Sequence, residues 1–260
     1  MNKKTQLIYQ TPNLQLSAQK LADKLDMVCT SPMGTSTPSE YWLELTESGL
    51  QLYSNLLNKS KPIMVDFLTG SNFHRYRFGG GKSQMIAKAV GMKSLHNPTI
   101  LDITAGLGGD GFVLATLGGR IQMIERSAVL FALLDDGILR AKQEPWFREL
   151  HLTIQHADAR CFLQKLDNQH MPDVIYYDPM FPCSEKTALV KKEMRILRQV
   201  VGDDHDSQTV LPLCIEKAKK RVVVKRPYHA PCINHIKPDL QYKGKSSRFD
   251  VYLTHNSSRK

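Results

Sequence analysis

The chain has no cysteine pair at metal-binding spacing and no long apolar run. Its five cysteines, Cys29, Cys161, Cys183, Cys214 and Cys232, are odd in number and scattered, with no C-x-x-C pair among them. This argues against a disulfide framework and against a zinc site, and it reads as reduced thiols in a cytosolic protein. No bound metal is expected. The longest apolar stretch, Ala128 to Leu134, is far too short to cross a bilayer. Met1 to Asn13 carries two lysines with no apolar segment behind them, so neither secretion nor a membrane partner is expected. Internal repeats and low-complexity tracts are missing, and so is the His-Cys-Glu signature of a nucleobase deaminase.

What the chain does have is length and positive charge. Its 260 residues suffice to bury a full core, as one large domain or a large domain with a small appendage. A net charge of +10 and a pI near 9.3 attract polyanions over long range. Solubility alone explains such a charge equally well.

Residues 1 to about 70 lack helical periodicity and read as a small β-rich N-terminal domain. Tyr41 to Tyr53 holds two alternating runs around Glu47-Ser48-Gly49, the pattern of a hairpin, and Lys61 to Phe67 reads as a third strand. Cys29 to Glu40 reads as an exposed loop. From residue 71 to 260 the pattern predicts an α/β domain, with short β-branched runs alternating with helices as in a parallel sheet. The expected strands are Thr99–Ile103, Arg120–Glu125, Leu150–Gln155, Asp173–Tyr177 and Arg221–Lys225. Helices are expected over Ser83–Val90, Ala128–Lys142, Lys186–Val201 and Thr209–Lys219, and a final strand, Arg248–Thr254, along the sheet edge.

The strongest local signal is Leu101-Asp-Ile-Thr-Ala-Gly-Leu-Gly-Gly-Asp-Gly111, where a strand ends and a helix begins. Gly106 and Gly108 permit positive φ and close approach of a ligand to the backbone, and the helix start offers unpaired N–H groups. Glu125 closes the next strand, where a carboxylate accepts hydrogen bonds from ribose hydroxyls. The same letters satisfy G-x-G-x-x-G through Gly106, Gly108 and Gly111, so a nicotinamide-dependent oxidoreductase has to be weighed. Against it, three residues separate Asp102 from Gly106, a spacing that resembles motif I of class I methyltransferases. A second glycine cluster, Phe78-Gly-Gly-Gly-Lys-Ser83, is not a P-loop, because Tyr76 stands where the first glycine is required. With His74, Arg75, Arg77 and Lys82 it reads as a basic loop that either touches RNA phosphates or caps the helix after it.

Asp173-Val-Ile-Tyr-Tyr-Asp-Pro-Met-Phe-Pro182 places Asp178 at the carboxyl edge of the sheet, where open α/β folds bind ligands. Asp-Pro-Met-Phe resembles the [D/N]-P-P-[F/Y] loop of amino-directed methyltransferases, with Met180 in place of the second proline. Asp178 and the carbonyl of Pro179 would orient a base amine, and Phe181 would stack on an extruded base. The helix that follows puts Lys191, Arg195 and Arg198 on one face, suited to RNA phosphates or simply solvated.

These stretches together resemble the ribosomal RNA small subunit methyltransferase J family. The resemblance rests on Phe78-Gly-Gly-Gly, Thr104-Ala-Gly-Leu-Gly108, Ile124-Glu-Arg126, Tyr177-Asp-Pro-Met-Phe-Pro182, Ala188-Leu-Val-Lys-Lys-Glu-Met-Arg195, Val222-Val-Val-Lys-Arg-Pro227 and Arg248-Phe-Asp250. It implies a class I, Rossmann-like methyltransferase that uses S-adenosylmethionine to methylate guanine N2 in small-subunit (16S) ribosomal RNA, naked or in an assembling subunit. Carried over motif by motif, it implies cofactor contacts from Gly109, Asp110, Glu125, Arg126, Asp158, Ala159 and Asp178. A non-catalytic RNA-binding ribosome assembly factor, and methylation of adenine N6 or of DNA, remain the alternatives.

Overall fold

Alternation in the first 70 residues produces a small sheet. The computed structural model describes residues 5–31, 40–55, 61–79, 81–180, 192–201 and 207–254. Strands β1 (Gln6–Tyr9), β2 (Val28–Thr30), β3 (Tyr41–Thr46) and β4 (Gly49–Ser54) lie in the order β2-β1-β3-β4. The expected hairpin is present, with Leu43 opposite Leu52 and Leu45 opposite Leu50. Three expectations for this region fail in whole or in part. Cys29 and Thr30, read as the start of an exposed loop, belong to β2, and residues 32–39 lie outside the described residues. Gln15–Lys24 is a helix, α1, whose buried side is only Ala18 and Ala22, too small to write an apolar stripe into the sequence. Lys61–Phe67 forms no strand, only a bridge between Ile63 and Leu52, because Val65 and Phe67 turn into the core instead.

The remainder is an open, doubly wound α/β domain. Helices α2 (Gly70–Phe78) and α3 (Met85–Val90) lead into β5 (Thr99–Asp102), α4 (Gly109–Thr116), β6 (Arg120–Glu125), α5 (Ala128–Ala141), α6 (Pro145–Arg148), β7 (Leu152–His156), α7 (Ala159–Lys165) and β8 (Val174–Tyr177). Then come α8 (Lys192–Val201), α9 (Ser207–Lys217), β9 (Arg221–Pro227), β10 (Leu240–Lys243) and β11 (Ser247–Leu253). The seven strands run β10-β11-β9-β8-β5-β6-β7, parallel from β9 through β7, with β11 antiparallel to both of its neighbours. Every residue of β8 is buried, as are Val222 to Val224 of β9, because helices cover both faces. β11 is not the edge strand expected of it. The short, polar β10 lies outside it, and all of Arg248 to Tyr252 is buried. His74, Arg75 and Arg77 sit on a helix, α2, and not in a loop.

One apolar cluster joins the two sheets. Phe67 packs its ring 4.8 Å from Phe112 of α4 and 5.7 Å from Phe147 of α6. On the other side of α5, Asp136 accepts the Leu50 N–H at 3.1 Å and pairs with Arg140 at 2.8 Å. No helix among the described residues is long and apolar enough to cross a membrane.

The C-terminal half of the sheet contains a buried ion pair. Arg248 grips Asp250 with Nε at 2.9 Å and Nη2 at 3.0 Å, and its Nη1 donates to the carbonyls of Pro227 and Tyr228 at 3.3 and 2.8 Å. The pair therefore fixes the backbone leaving β9. Replacing Asp250 with alanine strands a buried guanidinium, and stability should fall by about 3–5 kcal/mol, read as a lower urea midpoint.

Candidate active site

A cavity of about 1280 Å³ opens at the carboxyl ends of β5, β6, β8 and β9, on both sides of the point where strand order reverses. One wall is the glycine turn. Gly106 and Gly108 have φ of 55° and 75°, and a Cβ on Gly108 would meet Leu134 Cδ1 at 2.5 Å. A Cβ on Gly106 would project into open space. That space is what a ligand lying on the backbone needs. No side chain caps α4, so the N–H groups of its first turn are held toward the same wall.

Glu125 ends β6 and is buried against this turn. Its Oε2 accepts the Gly106 N–H and its Oε1 the Ser127 N–H, both at 2.8 Å, so one carboxylate ties the glycine turn to the start of α5. A carboxylate offers about four acceptor positions, enough for hydroxyls as well. Across the cavity Asp158 caps α7, its Oδ1 accepting the Cys161 N–H at 2.9 Å, and Ala159 is the first residue of that helix. Arg126 lines the wall between them.

Asp178 follows β8 directly. Its N–H donates to Thr104 Oγ1 at 2.7 Å, and its Oδ2 accepts from Lys225 Nζ at 2.8 Å. The same ammonium reaches Asp110 Oδ2 at 2.8 Å. Asp110 also pairs with Arg75 at 2.9 Å and accepts the Tyr176 hydroxyl at 2.7 Å. The Asp110 carboxylate is therefore engaged by these three groups, and Asp110 also lines the cavity. Gly109 and Pro179 also line the cavity. Of the basic residues expected on one helix face, Arg198 lines the cavity while Arg195 is exposed away from it. Phe181 and Lys191 lie outside the described residues. Sequence reading gave Thr104, Arg75 and Lys225 no role at the cavity; Thr104 and Lys225 entered only within stretches that carry the family resemblance, and Arg75 only within the basic segment before α3. The signal for Lys225 was a lysine closing the apolar run Val222–Val224, a costly place for an ammonium without a partner. The far end of the cavity, Arg226 to Pro231 with Lys245 to Ser247, was not anticipated either.

Residues 21–254 match a family model described as "Putative SAM-dependent methyltransferase". Ribosomal RNA small subunit methyltransferase J of Coxiella burnetii is 48% identical over 258 residues, covering 99% of this chain and 100% of the relative. Its namesake in Pseudomonas aeruginosa is 42% identical over 238 residues, covering 91% of this chain and 89% of the relative. The chain belongs to the ribosomal RNA small subunit methyltransferase J family. The crystal structure of a SAM-dependent methyltransferase from Neisseria gonorrhoeae matches with a TM-score of 0.75 at 31% identity, covering 97% of both chains. Membership makes the chain an S-adenosylmethionine-dependent methyltransferase, and the nicotinamide oxidoreductase and non-catalytic alternatives fall.

The acidic residues of this methyltransferase J site are held in different charge states. Burial pushes Asp102 up to about 8, against one stabilising hydrogen bond from the Thr104 N–H, and the neighbouring Asp110, Asp178 and Glu125 reinforce the shift. Burial also opposes ionisation of Asp110, but Lys225 foremost, then Arg75 and the Tyr176 hydroxyl, hold it at about 2. Lys225 is raised above its ordinary value because Asp178 and Asp110 outweigh its own desolvation. Near neutral pH Asp102 is thus mainly protonated, while Asp110 and Lys225 are charged.

Asp102 gives a pH signature. Its folded value of about 8 exceeds the ordinary 3.8, so the folded chain holds the extra proton between those values. Stability contributed by that proton is lost as pH rises through this window. Asp110 acts in the opposite sense, its contribution disappearing only as pH falls through about 2. Asp102→Asn should flatten the decline in urea midpoint between pH 5 and pH 8.5; an unchanged slope would show that Asp102 ionises normally.

Proposed function

We propose that the chain transfers a methyl group from S-adenosylmethionine to the exocyclic N2 of a guanine in small-subunit (16S) ribosomal RNA. The observation that carries this reading is Asp178-Pro179 at the end of β8, facing a cavity whose opposite wall is a glycine turn closed by Glu125. The small-subunit RNA in the names of the relatives supports the substrate. Ligand pockets are typically about 300–1,000 Å³, and the 1280 Å³ here has room for a cofactor and an extruded base together.

The wall of Gly106, Gly109, Asp110, Glu125, Arg126, Asp158 and Ala159 holds the cofactor, with Glu125 accepting from ribose hydroxyls and the backbone at Gly109 and Asp110 lying along it. S-adenosylmethionine, when bound, supplies an electrophilic methyl on a sulfonium sulfur. The guanine amine is a weak nucleophile because its lone pair is delocalised into the ring. Asp178, held in place by Lys225, accepts one amine N–H, and the Pro179 carbonyl accepts the other. Those two bonds favour a pyramidal nitrogen with its lone pair directed at the methyl. No strong base is required, since the proton is lost after the new N–C bond forms. Phe181 supplies stacking on the base, and Lys191, Arg195 and Arg198 neutralise phosphates of the incoming RNA.

The test is tritiated methyl transfer to small ribosomal subunits lacking the modification, with the product nucleoside identified. N2-methylguanosine is expected; methyl on adenine N6, a ring carbon or ribose overturns the assignment. Asp178→Ala should fold, because its side chain sits at a strand end beside the cavity, and should lower the single-turnover rate by about 100-fold or more. Glu125→Gln sets an amide NH2 against one of the two backbone N–H groups that the carboxylate holds, loosening the glycine turn and removing a strong acceptor, and calorimetry should show S-adenosylmethionine binding weakened by about 1–3 kcal/mol.

A further inference from the structure

Outside the cavity, three stretches of chain without acidic residues come together. There is no Asp or Glu between Asp66 and Asp102, between Glu216 and Asp239, or between Asp239 and Asp250. In the fold they supply α2, the short turn Gly81–Ser83, the loop after β9, and the β10–β11 turn. Arg75 anchors α2 to the site through Asp110 at 2.9 Å and to the start of α3 through Gln84 Oε1 at 3.2 Å. Met85 continues the surface to the β10–β11 turn, since a methyl group on Gly244 would touch its Sδ at 3.5 Å. That turn is held to the loop after β9 by the Tyr228 N–H, which donates to the Ser246 carbonyl at 3.1 Å. The surface therefore runs without a break from α2 to the cavity mouth, where Tyr228 and Lys245 belong to the lining.

It carries both aromatic and basic side chains. Phe78 is 74% exposed, with the His74 ring beside it at 5.0 Å, an exposure that core packing does not explain. Lys82 is exposed next to it, and Tyr228 and Lys245 are exposed at the other end. We infer that this strip is the docking track for a single-stranded RNA segment flanking the target nucleotide, with Phe78 and Tyr228 stacking on bases and Lys82 and Lys245 neutralising phosphates. Aromatic faces are useful only to bases that are not already paired, which selects single strands over duplex. The unbroken positive sign of the strip matches a phosphate backbone and disfavours an acidic-free or basic protein partner. The track rests on the RNA reading above and extends it to the substrate's form, an unpaired segment threading past α2 into the cavity.

Fluorescence anisotropy with a labelled single-stranded RNA of about 12 nucleotides, and with a duplex of equal length, tests this. The substituted side chains are exposed, so the variants should fold, and Phe78→Ala and Lys82→Gln, which lie outside the cavity lining, should bind S-adenosylmethionine as the parent does. Phe78→Ala should weaken single-strand binding by about tenfold. Lys82→Gln with Lys245→Gln should reduce the slope of log affinity against log salt by about 1.4, or about 0.7 per lost phosphate contact. Lys142→Gln, at the exposed C-terminal end of α5, should change neither. Unaltered single-strand affinity in the Phe78 and lysine variants overturns the track, as does tighter binding of duplex. Variants that lose methylation of assembled subunits but bind the oligonucleotide normally would assign the strip to a ribosomal protein and also overturn it. If those variants bind RNA normally while the parent methylates small-subunit RNA, only the track fails. A parent that neither binds the oligonucleotide nor methylates the RNA removes both readings.

Discussion

Lys225 joins the two halves of the site through one ammonium group. Its Nζ lies 2.8 Å from Asp110, on the helix that follows the glycine turn, and 2.8 Å from Asp178, at the end of the strand that presents the acceptor loop. Without the lysine the two carboxylates would repel each other in a poorly solvated space, and both the helix start and the strand end would have to move or take up protons. With it, the distance between the glycine turn and the loop after β8 is set by charge geometry. Thr104 adds a neutral tie by accepting the Asp178 N–H, so the loop position is fixed at backbone and side chain alike.

The same arrangement explains why Asp102 differs from its neighbours. Three carboxylates lie around it, and the available cations, Lys225 and Arg75, are engaged by Asp110 and Asp178. A fourth negative charge in a buried position would have no compensating partner, so Asp102 retains a proton instead. A strand-end acid that looks in sequence like another charged ligand is here a neutral hydrogen-bonding group, accepting the Thr104 N–H at 3.1 Å and shaping the turn.

Those features that depend on short-range pattern were legible in the sequence. Strands β5, β6, β8 and β9 are apolar runs because both of their faces are covered, and their carboxyl ends place Glu125 and Asp178 at the cavity without further information. Helices α1 and α2 were missed because neither carries a clear apolar stripe; α1 buries two alanines, and α2 is flanked by glycines and rich in basic residues. β11 was misplaced because β10, its outer partner, is four residues long and mostly exposed. The wiring of the site was illegible for a different reason. Lys225 is 115 residues from Asp110 and 47 from Asp178, Arg75 is 35 from Asp110, and Thr104 is 74 from Asp178. Only the strand order brings such pairs together.

That strand order also dictates what a growing chain exposes. β8 is apolar on both faces and leaves the ribosome with β5 already available on one side, but its other edge stays unpaired until β9 has been made. β9 in turn presents Val222, Val223 and Val224 until β11 arrives and inserts between it and β10. A partly synthesised sheet therefore carries a bare hydrophobic edge, the kind of surface that invites pairing with another chain. The order of synthesis therefore leaves the edge of β8, and then that of β9, unpaired until the last third of the chain has been made.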